Sequence, residues 1–264
     1  MLDTLTDVTY EIDAGLAWIT INRPDRFNSF RAHTVDELIA CFKHAWASPD
    51  VGVVALTGAG ERAFSSGGDQ KQRAETGDYG PSATGLFEVD TLHRTIREIP
   101  KPVIAAVNGF AIGGGHVLHV LCDLTIAADS AVFGQVGPKV GSFDAGWGTS
   151  LLARSVGDKR AREIWFLNER YTAQQALEMG LVNKVVPMAD LDAAVTDWTD
   201  KLAERSPTAL AFLKRSFNAD SDSIRGISNF ALHAVKLFYD TPESKEGVAA
   251  FNEKRTPDFH KFVS

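Results

Sequence analysis

Cysteine is scarce in this sequence, with two residues in 264, and both lie in apolar stretches, LIACF and VLCDLTI. Two cysteines cannot build a disulfide framework or a cysteine-rich zinc site, so we expect Cys41 and Cys122 to be buried, unreactive thiols. Long hydrophobic runs are also missing, because no stretch approaches the ~18 apolar residues of a membrane span. The N-terminal MLDTLTDVTYEID carries acids where a signal peptide needs a basic region. We therefore expect a cytoplasmic protein without a membrane segment.

Positively charged residues are also fewer than negatively charged ones. The chain has 27 Lys and Arg against 34 Asp and Glu, a formal net charge of -7. Because phosphate backbones are bound mainly by clustered Lys and Arg, this balance argues against a nucleic-acid partner. An anionic ligand would have to meet a local basic patch. The length and the 44% hydrophobic content are those of one large globular domain.

The first half of the chain alternates strand and helix signals. VTYEID and LAWITINR are predicted to form a hairpin joined by Asp13-Ala14-Gly15, and TVDELIACFKHAWA has helical spacing with Thr34 as its expected cap. VGVVALTGAG predicts a buried strand, and KPVIAAVNGFAIGGGHVLHVLCDLTIAAD predicts a strand, a glycine turn, a helix and a strand. This alternation implies crossover units and a mostly parallel sheet, which is an α/β fold.

The strand signals stop after about Pro187. Beyond it, DLDAAVTDWTDKLAERS, PTALAFLKRSFN and IRGISNFALHAVKLFY have amphipathic helical spacing. We therefore divide the chain into a core domain, residues 1–190, and a C-terminal helical region, residues 191–264. Residues 75–84 (ETGDYGPSAT), rich in glycine and small polar residues, are predicted to form a mobile loop.

Two glycine-rich turns follow predicted buried strands, AFSSGGDQ and NGFAIGGGH. A strand that ends in glycines and opens a helix exposes backbone N–H groups, which suits stabilisation of a developing oxyanion. Phosphate binding fits less well, because GxxxxGK[ST] is absent and neither turn contains GxGxxG. Glycines that serve tight packing alone remain the alternative for either turn taken singly.

A third glycine-rich stretch, GQVGPKVGSFDAGWG, contains a single carboxylate, Asp144. Beside aromatic neighbours such as Phe143 and Trp147, this carboxyl group is predicted to have a raised pKa and to donate a proton or a hydrogen bond. The alternative is a structural role, in which Asp144 caps the following helix, GWGTSLLARSV.

Five motifs in order, INRPDRFNSF, AFSSGGD, NGFAIGGGHVLHVLCDLTIAAD, FGQVGPKVGSF and ALEMGLVNKVVP, resemble the crotonase (enoyl-CoA hydratase/isomerase) superfamily over nearly the whole chain. The resemblance implies a spiral of repeated β-β-α units with a C-terminal helical trimerisation region, assembled as homotrimers or homohexamers. It also implies an acyl-CoA substrate and no tightly bound cofactor. The enolate oxygen of the thioester would be held by the N–H groups of Gly68 and Gly114.

The departures from the family pattern concern proton transfer. The two glutamates that hydratases of this family carry correspond to Val117 and Gly137, so hydration of an enoyl-CoA is not expected. GGDQK, GGGHVLH, GPKVGSFDAGWG and KRAREIW resemble a smaller branch, the 1,4-dihydroxy-2-naphthoyl-CoA synthases and related hydrolases that open alicyclic β-ketoacyl-CoA rings. That resemblance implies a site lined by six residues: Lys71, Arg73, Tyr79, Ser142, Asp144 and Tyr239.

The same branch implies two further sets of ligands. Where Gly137 replaces a carboxylate, it resembles enzymes that hold bicarbonate as the base, enclosed here by Gln135 and Trp165, although a water would fit equally. At the CoA end, the resemblance points to Arg26, which lies one residue before the expected position, and to Lys254 and Arg255. Lys71 and Arg73 would pair with a carboxylated acyl group, or else form a solvated pair on a loop.

His116 and His119 follow the GGG turn at an i,i+3 spacing, without nearby cysteine or acidic ligands in the sequence. We expect packing or hydrogen-bonded core residues there and no metal site.

Two reactions and one non-catalytic role remain open. The leading hypothesis is ring closure of o-succinylbenzoyl-CoA, a lyase step of menaquinone biosynthesis, favoured by Lys71, Arg73 and SFDAGWG. The first alternative is hydrolytic opening of a 2-ketocyclohexanecarboxyl-CoA type ring, favoured by the short N-terminus, by Val136 and by SPTALAFLKRSFN and YDTPESKEGV. A non-catalytic acyl-CoA-binding scaffold would require that Ser142 and Asp144 point away from the glycine turns.

Overall fold

A hairpin opens the fold, as predicted, and its second strand begins a parallel sheet. The computed structural model describes residues 2–263, so Met1 and Ser264, the outermost residues of the two regions defined above, lie outside the described residues. Within residues 2–263 the strands are β1 (Val8–Asp13), β2 (Leu16–Ile21), β3 (Val53–Gly58), β4 (Ala63–Ser65), β5 (Val103–Val107), β6 (Phe110–Ile112), β7 (Leu124–Ala128), β8 (Val132–Gly134), β9 (Tyr171–Thr172) and β10 (Lys184–Val186).

Eleven α-helices accompany these strands in the described range. They are α1 (Ala32–Ala47), α2 (Gln70–Thr76), α3 (Val89–Glu98), α4 (Gly114–Leu121), α5 (Trp147–Val156), α6 (Asp158–Leu167), α7 (Ala173–Glu178), α8 (Leu191–Ala203), α9 (Pro207–Ala219), α10 (Asp222–Tyr239) and α11 (Pro242–Asn252). The sequence patterns predicted α8, α9 and α10 but missed α11.

The strands form two sheets. The larger has the order β1-β2-β3-β5-β7-β10, with β1 antiparallel to β2 and every later pair parallel. The smaller has the order β4-β6-β8-β9, in which β4, β6 and β8 are parallel. Each repeat therefore sends its first strand to the large sheet and its second to the small sheet before a helix follows. This is the predicted spiral of β-β-α units, and the α/β fold class is confirmed.

Both faces of the large sheet are buried, which explains why its central strands are almost continuously apolar. Along β3, Val54 and Leu56 join the main core, whereas Val53 and Ala55 face the opposite way into a second cluster. The second cluster is completed by Leu191 and other apolar residues of α8. Alternate residues thus serve different layers, as the two-residue period of a strand requires.

Two local expectations are corrected. Helix α1 begins at Ala32, so Thr34 is not its cap; Arg31 takes the capping position, and the Thr34 hydroxyl accepts a hydrogen bond from the Arg31 N–H at 3.2 Å. The segment predicted as a loop contains the last residues of α2, which ends at Thr76. Irregular backbone follows, yet Tyr79 within it is buried.

Candidate active site

Three parallel strands of the small sheet end at the same edge. Ser65 of β4 pairs with Ala111 of β6, and Ile112 of β6 pairs with Gly134 of β8. Because neighbouring parallel strands deliver their C-terminal ends to one side, the turns that follow them must meet there. The two glycine turns and the start of the third glycine-rich stretch, three separate motifs in the sequence, are thereby brought together.

The first two turns touch each other through their backbones. Gly67 has a φ of +86°, and a Cβ built on it would lie 2.7 Å from the backbone nitrogen of Gly114. A side chain is excluded there by both the left-handed conformation and the lack of space. Gly114 is the first residue of α4, so its N–H has no acceptor within the helix. The N–H groups of Gly68 and Gly114 belong to residues that line one cavity, an arrangement suited to holding a developing oxyanion.

This cavity has a volume of about 330 Å³, within the range of small-molecule sites. Its floor is formed by the glycine turns, and its walls come from α3, from the segment before α5 and from α10. Val117 and Gly137, the two positions for which the sequence resemblance implies glutamates in hydratases, both line it. Neither residue can move a proton, so any acid or base must come from another part of the wall.

Asp144 lies in that wall, and one of its oxygens serves the fold. Its Oδ1 accepts hydrogen bonds from the N–H groups of Gly146 and Gly148 at 3.0 and 3.1 Å, at the start of α5. This is the geometry of the capping alternative. The residue is only half-buried and lines the cavity. Capping through Oδ1 and contact with a ligand through Oδ2 are therefore compatible.

Three hydroxyl groups form a chain along the same cavity. The Tyr239 hydroxyl lies 2.9 Å from Ser142 Oγ and 3.2 Å from the Tyr79 hydroxyl. The Tyr79 ring packs directly on Gly68, where an added Cβ would collide with it. Burial raises the pKa of the Tyr79 phenol well above its usual range, so this group is a hydrogen-bond donor at neutral pH. The structure thus brings these three sequence-predicted residues together.

The predicted cationic pair is not brought together with them. Arg73 is 3% exposed, and its guanidinium donates to the carbonyls of Val140 and Gly141 and to the Ser244 hydroxyl, at 3.3, 2.8 and 2.6 Å. Lys71 is exposed on α2, and neither cation lines the cavity. The GGDQK motif placed both residues near the turn, but helical geometry sends one outward and the other into the protein.

The three residues of the predicted bicarbonate enclosure, Gln135, Gly137 and Trp165, all line the cavity, and two of them use hydrogen-bonding groups within the protein. The Trp165 indole N–H donates to the Gly148 carbonyl at 3.2 Å, and the Gln135 amide nitrogen lies 3.3 Å from His116 Nδ1. A Cβ at Gly137 would lie 2.9 Å from the Ser142 carbonyl oxygen. Gln135 Oε1 is buried without a partner in the described chain, but an amide oxygen repels an anion. These contacts use the Trp165 N–H and at most one N–H of the Gln135 amide, so a bicarbonate ion would depend mainly on the second Gln135 N–H, and its role as the base stays a prediction.

Sequence reasoning missed one residue in this cavity, His93 of α3. It is 5% exposed and lines the wall. Burial lowers the pKa of His93, an effect that the nearby Asp144 carboxylate partly offsets. The available signal was a histidine among the apolar positions of LHRTIRE, between Leu92 and Ile96. What distinguishes His93 from the buried His116 and His119 is that it lines the cavity.

The predicted CoA ligands lie on the exterior. Arg26 is exposed in a short 3-10 turn, and Ser66 Oγ, beside the first glycine turn, lies 3.5 Å from its carbonyl. Lys254 and Arg255 line a second groove of about 420 Å³ together with Lys139. Arg255 is paired with Glu246 at 2.5 Å, so only part of its charge is available to a phosphate.

Burial holds two cysteines and two histidines of the core in their neutral forms at pH 7. Burial raises the pKa of Cys41 to about 12 and raises that of Cys122 as well. Burial lowers the pKa of His116 to about 3 and places that of His119 well below its usual value.

No group of three or more His, Cys, Asp or Glu side chains in residues 2–263 is arranged to hold a metal ion. None of the helices in that range combines the length and apolarity needed to cross a bilayer.

Known proteins share this fold and much of this sequence. The family model described as enoyl-CoA hydratase/isomerase matches residues 11–261. An enoyl-CoA hydratase from Mycobacterium avium subsp. paratuberculosis K-10 is 30% identical, with 97% of this chain and 99% of that chain covered and a TM-score of 0.85. A carnitinyl-CoA hydratase from Mycobacterium avium is 30% identical (97% and 98% covered, TM-score 0.83). An enoyl-CoA hydratase/isomerase from Xanthobacter autotrophicus Py2 is 32% identical (95% and 94% covered, TM-score 0.83).

Proposed function

The chain belongs to the enoyl-CoA hydratase/isomerase family of the crotonase superfamily, and from that premise we propose that it makes or breaks a carbon–carbon bond beside an acyl-CoA thioester. The family assignment makes it an acyl-CoA-processing enzyme. The finer proposal depends on one observation. The cavity with the N–H groups of Gly68 and Gly114 lacks acids at Val117 and Gly137 and presents Asp144 and three linked hydroxyls instead.

Carbon–carbon chemistry uses such groups in definite roles. Two N–H donors stabilise the enolate oxygen when charge moves from the α carbon to the thioester carbonyl. The hydroxyls of Ser142, Tyr239 and Tyr79 can donate to a second carbonyl, whose carbon forms or breaks the bond to that α carbon. A hydratase needs instead a group that delivers water to the β carbon, and the two positions used for this in hydratases are apolar here.

The placement of cations favours ring opening over ring closure. An o-succinylbenzoyl group carries a free carboxylate, which needs a cationic partner, whereas a 2-ketocyclohexanecarboxyl ring carries none. Arg73 is bonded to protein carbonyls, Lys71 is exposed outside the cavity, and the lysine that lines the wall, Lys236, is exposed on α10. We therefore propose a hydrolase in which water adds to the ring ketone, the ring bond breaks, and the thioester enolate takes a proton.

Ring closure is the second candidate, and the hydroxyl chain favours it. The two hydrogen bonds that link the three hydroxyls leave one O–H free and several oxygen lone pairs, so the chain can both donate to and accept from the carboxyl group that o-succinylbenzoyl-CoA brings to the reacting carbon. In this 1,4-dihydroxy-2-naphthoyl-CoA synthase reaction, a step of menaquinone biosynthesis, the α carbon loses a proton and attacks that carboxyl carbon, and water is lost.

The two directions are distinguished by product mass. The purified protein is incubated separately with 2-ketocyclohexanecarboxyl-CoA, o-succinylbenzoyl-CoA and crotonyl-CoA. Ring opening adds the mass of one water to the first compound, and ring closure removes the mass of one water from the second. If crotonyl-CoA is hydrated faster than either of the other two compounds reacts, the proposed carbon–carbon chemistry is contradicted and the protein is a hydratase.

We also propose that the helical region joins copies of the chain into a homotrimer or homohexamer in the cytoplasm. Its helices α9 to α11 expose large apolar side chains: Phe212, Phe217, Phe230, Leu237 and Phe251. Phe217 and Phe230 are 77% and 76% exposed in the isolated chain, which is unfavourable for a monomer in water. Light scattering on the purified protein measures the number of copies, and a monomer at micromolar concentration would contradict this assembly.

A further inference from the structure

His93 is the buried histidine on the wall of the active-site cavity, and nothing above gives it a role. Its helix, α3, packs against α4, which begins at Gly114, and against α10, which carries Tyr239. The residue is 5% exposed, and it is one of the cavity-lining residues. His93 therefore borders the space that an acyl group would enter.

The same face of α3 is directed at the segment that holds Asp144. Arg97, one helical turn after His93, places its guanidinium carbon 5.4 Å from the centre of the Trp147 ring. Trp147 is the first residue of α5, and the N–H groups on either side of it, from Gly146 and Gly148, bind Asp144. His93 and Asp144 thus share one end of the cavity.

Two carboxylates, Asp144 and Asp90, raise the pKa of His93 against the effect of burial, and Asp144 has the larger effect. Asp90, one turn before His93, is paired with Arg94 at 2.9 Å, whereas Asp144 has no ion-pair partner in residues 2–263. Burial lowers the pKa of His93 below its usual value, so the imidazole is neutral at pH 7 and able to accept a proton. Four other charged or titratable side chains line the cavity apart from the tyrosines: Glu88, Asp90, His233 and Lys236.

We propose, building on the enolate chemistry proposed above, that His93 removes and returns the proton on the carbon next to the thioester, with Asp144 stabilising its protonated form. In the forward step the C–H bond breaks and its electron pair forms the enolate double bond. The carbonyl π electrons move to the oxygen held by Gly68 and Gly114, and the proton goes to an imidazole nitrogen. In ring opening, the imidazole first takes the proton that is released when water adds to the ring ketone, and after the ring bond breaks the imidazolium gives that proton to the α carbon. No oxidant or further reactant is needed.

This role is tested by hydrogen exchange, which does not require the true substrate. Butanoyl-CoA is incubated with the enzyme in D₂O, and incorporation of deuterium at the α carbon is followed by mass spectrometry. The wild-type protein is expected to exchange these protons, and His93→Gln to lower the rate by about 100-fold or more, the usual contribution of a general base. His44→Gln changes an exposed histidine of α1 and serves as the matched control, with the wild-type rate expected.

A structural role for His93 is separated from a catalytic one by two further readouts. His93→Ala is assayed with and without added imidazole, which is expected to restore exchange because it replaces the missing base. In Asp144→Asn, the acid side of the rate profile is expected to move to lower pD, since loss of the carboxylate makes the imidazole harder to protonate.

The outcomes distinguish this inference from the function on which it rests. Exchange by wild-type protein that is unchanged in a folded His93→Gln variant would overturn the role of His93 and leave enolate chemistry standing. Binding of butanoyl-CoA by wild-type protein without any exchange would overturn both. Loss of exchange that follows loss of the circular-dichroism signal, with no rescue by imidazole, would assign His93 to the fold.

Discussion

The guanidinium carbon of Arg73 lies 3.7 Å from the centroid of the Tyr239 ring. The arginine is anchored to the carbonyls of Val140 and Gly141, and the tyrosine hydroxyl reaches Ser142. Helix α2, the segment before α5 and helix α10 are therefore linked through one cation and one aromatic ring. The Arg73 guanidinium packs against the ring of Tyr239, whose hydroxyl is the middle member of the hydroxyl chain. We therefore expect Arg73 to affect activity by positioning Tyr239.

Replacing Arg73 with methionine should reduce stability and turnover together. The change keeps much of the volume but leaves the Val140 carbonyl without its donor, leaves the Gly141 carbonyl with the Ser244 hydroxyl alone, and removes the cation–π contact, which together should cost about 2–3 kcal/mol. Turnover should fall because Tyr239 loses its support, while KM changes little. Urea unfolding and steady-state kinetics on Arg73→Met measure both effects. A raised KM with unchanged stability would instead make Arg73 a substrate ligand.

Asp144→Asn should separate the two functions of that carboxylate. Asparagine keeps an oxygen for the N–H groups of Gly146 and Gly148, so the melting temperature should change little. Turnover should fall by about 100-fold, because the charge beside the reacting carbon is lost. Asp144→Ala is the matched variant, and it should lose about 1 kcal/mol in addition because the cap is removed. Near-normal turnover with asparagine would leave Asp144 with capping alone.

The fold could be anticipated because its signals are local. Strand period, glycine turns and helix spacing predicted the hairpin, the parallel sheet and the amphipathic helices α8 to α10. Helix α11 was missed although Thr241 and Pro242 are ordinary helix-start signals, since its sequence PESKEGVAAFN has few large apolar residues at helical spacing and carries a glycine inside the helix. Its actual support is tertiary: Gly247 packs on Gly141, where any side chain would collide with the backbone.

The site was anticipated only in part, for a physical reason. Motif position placed Gly68, Gly114, Ser142 and Asp144 near one another, because strand ends of a parallel sheet converge. The position of a motif does not determine the direction in which its side chains point. Arg73 turned inward because Gly141 and Ser244 offered acceptors from distant parts of the chain. His93 was missed because its surroundings come from α4, α5 and α10, none of which is adjacent in sequence.

Turnover should not depend on bicarbonate. The Trp165 N–H is bonded to Gly148, and a Cβ at Gly137 would meet the Ser142 carbonyl oxygen, so the predicted enclosure leaves an ion little more than the second N–H of the Gln135 amide. Rates are compared in carbon-dioxide-depleted buffer with and without added bicarbonate, and Gly137→Asp is expected to lose stability rather than to gain activity. A turnover rate that rises and saturates with added bicarbonate would contradict this prediction and identify bicarbonate as the catalytic base.

Gly114→Ala should lower turnover by about 100-fold or more, the usual effect of losing an oxyanion donor. A Cβ at this position would lie 2.5 Å from Phe30 Cζ, so the turn must shift away from Gly68. Binding of butanoyl-CoA, measured by calorimetry, should change much less than turnover. Gly226→Ala is the matched control, because its Cβ would meet nothing within 4 Å. Unchanged turnover with weakened binding would make the turn a binding element only.

Acidification should destabilise the protein before its carboxylates titrate, and His116 should account for part of the loss. This histidine is fully buried, and its pKa is about 3 in the folded state against 6.5 in the unfolded chain. Between those values the unfolded state binds a proton that the folded state does not, so stability rises with pH. It should therefore fall by about 1.4 kcal/mol per pH unit for each such histidine as pH drops below 6.5. His119, whose pKa is also lowered by burial, adds to the slope in the same direction.

The free energy of unfolding, measured with urea between pH 5 and 6.5, should have a slope smaller by about one proton in His116→Gln than in the wild type. An identical slope in the two proteins would mean that His116 is protonated, and thus accommodated, in the folded core.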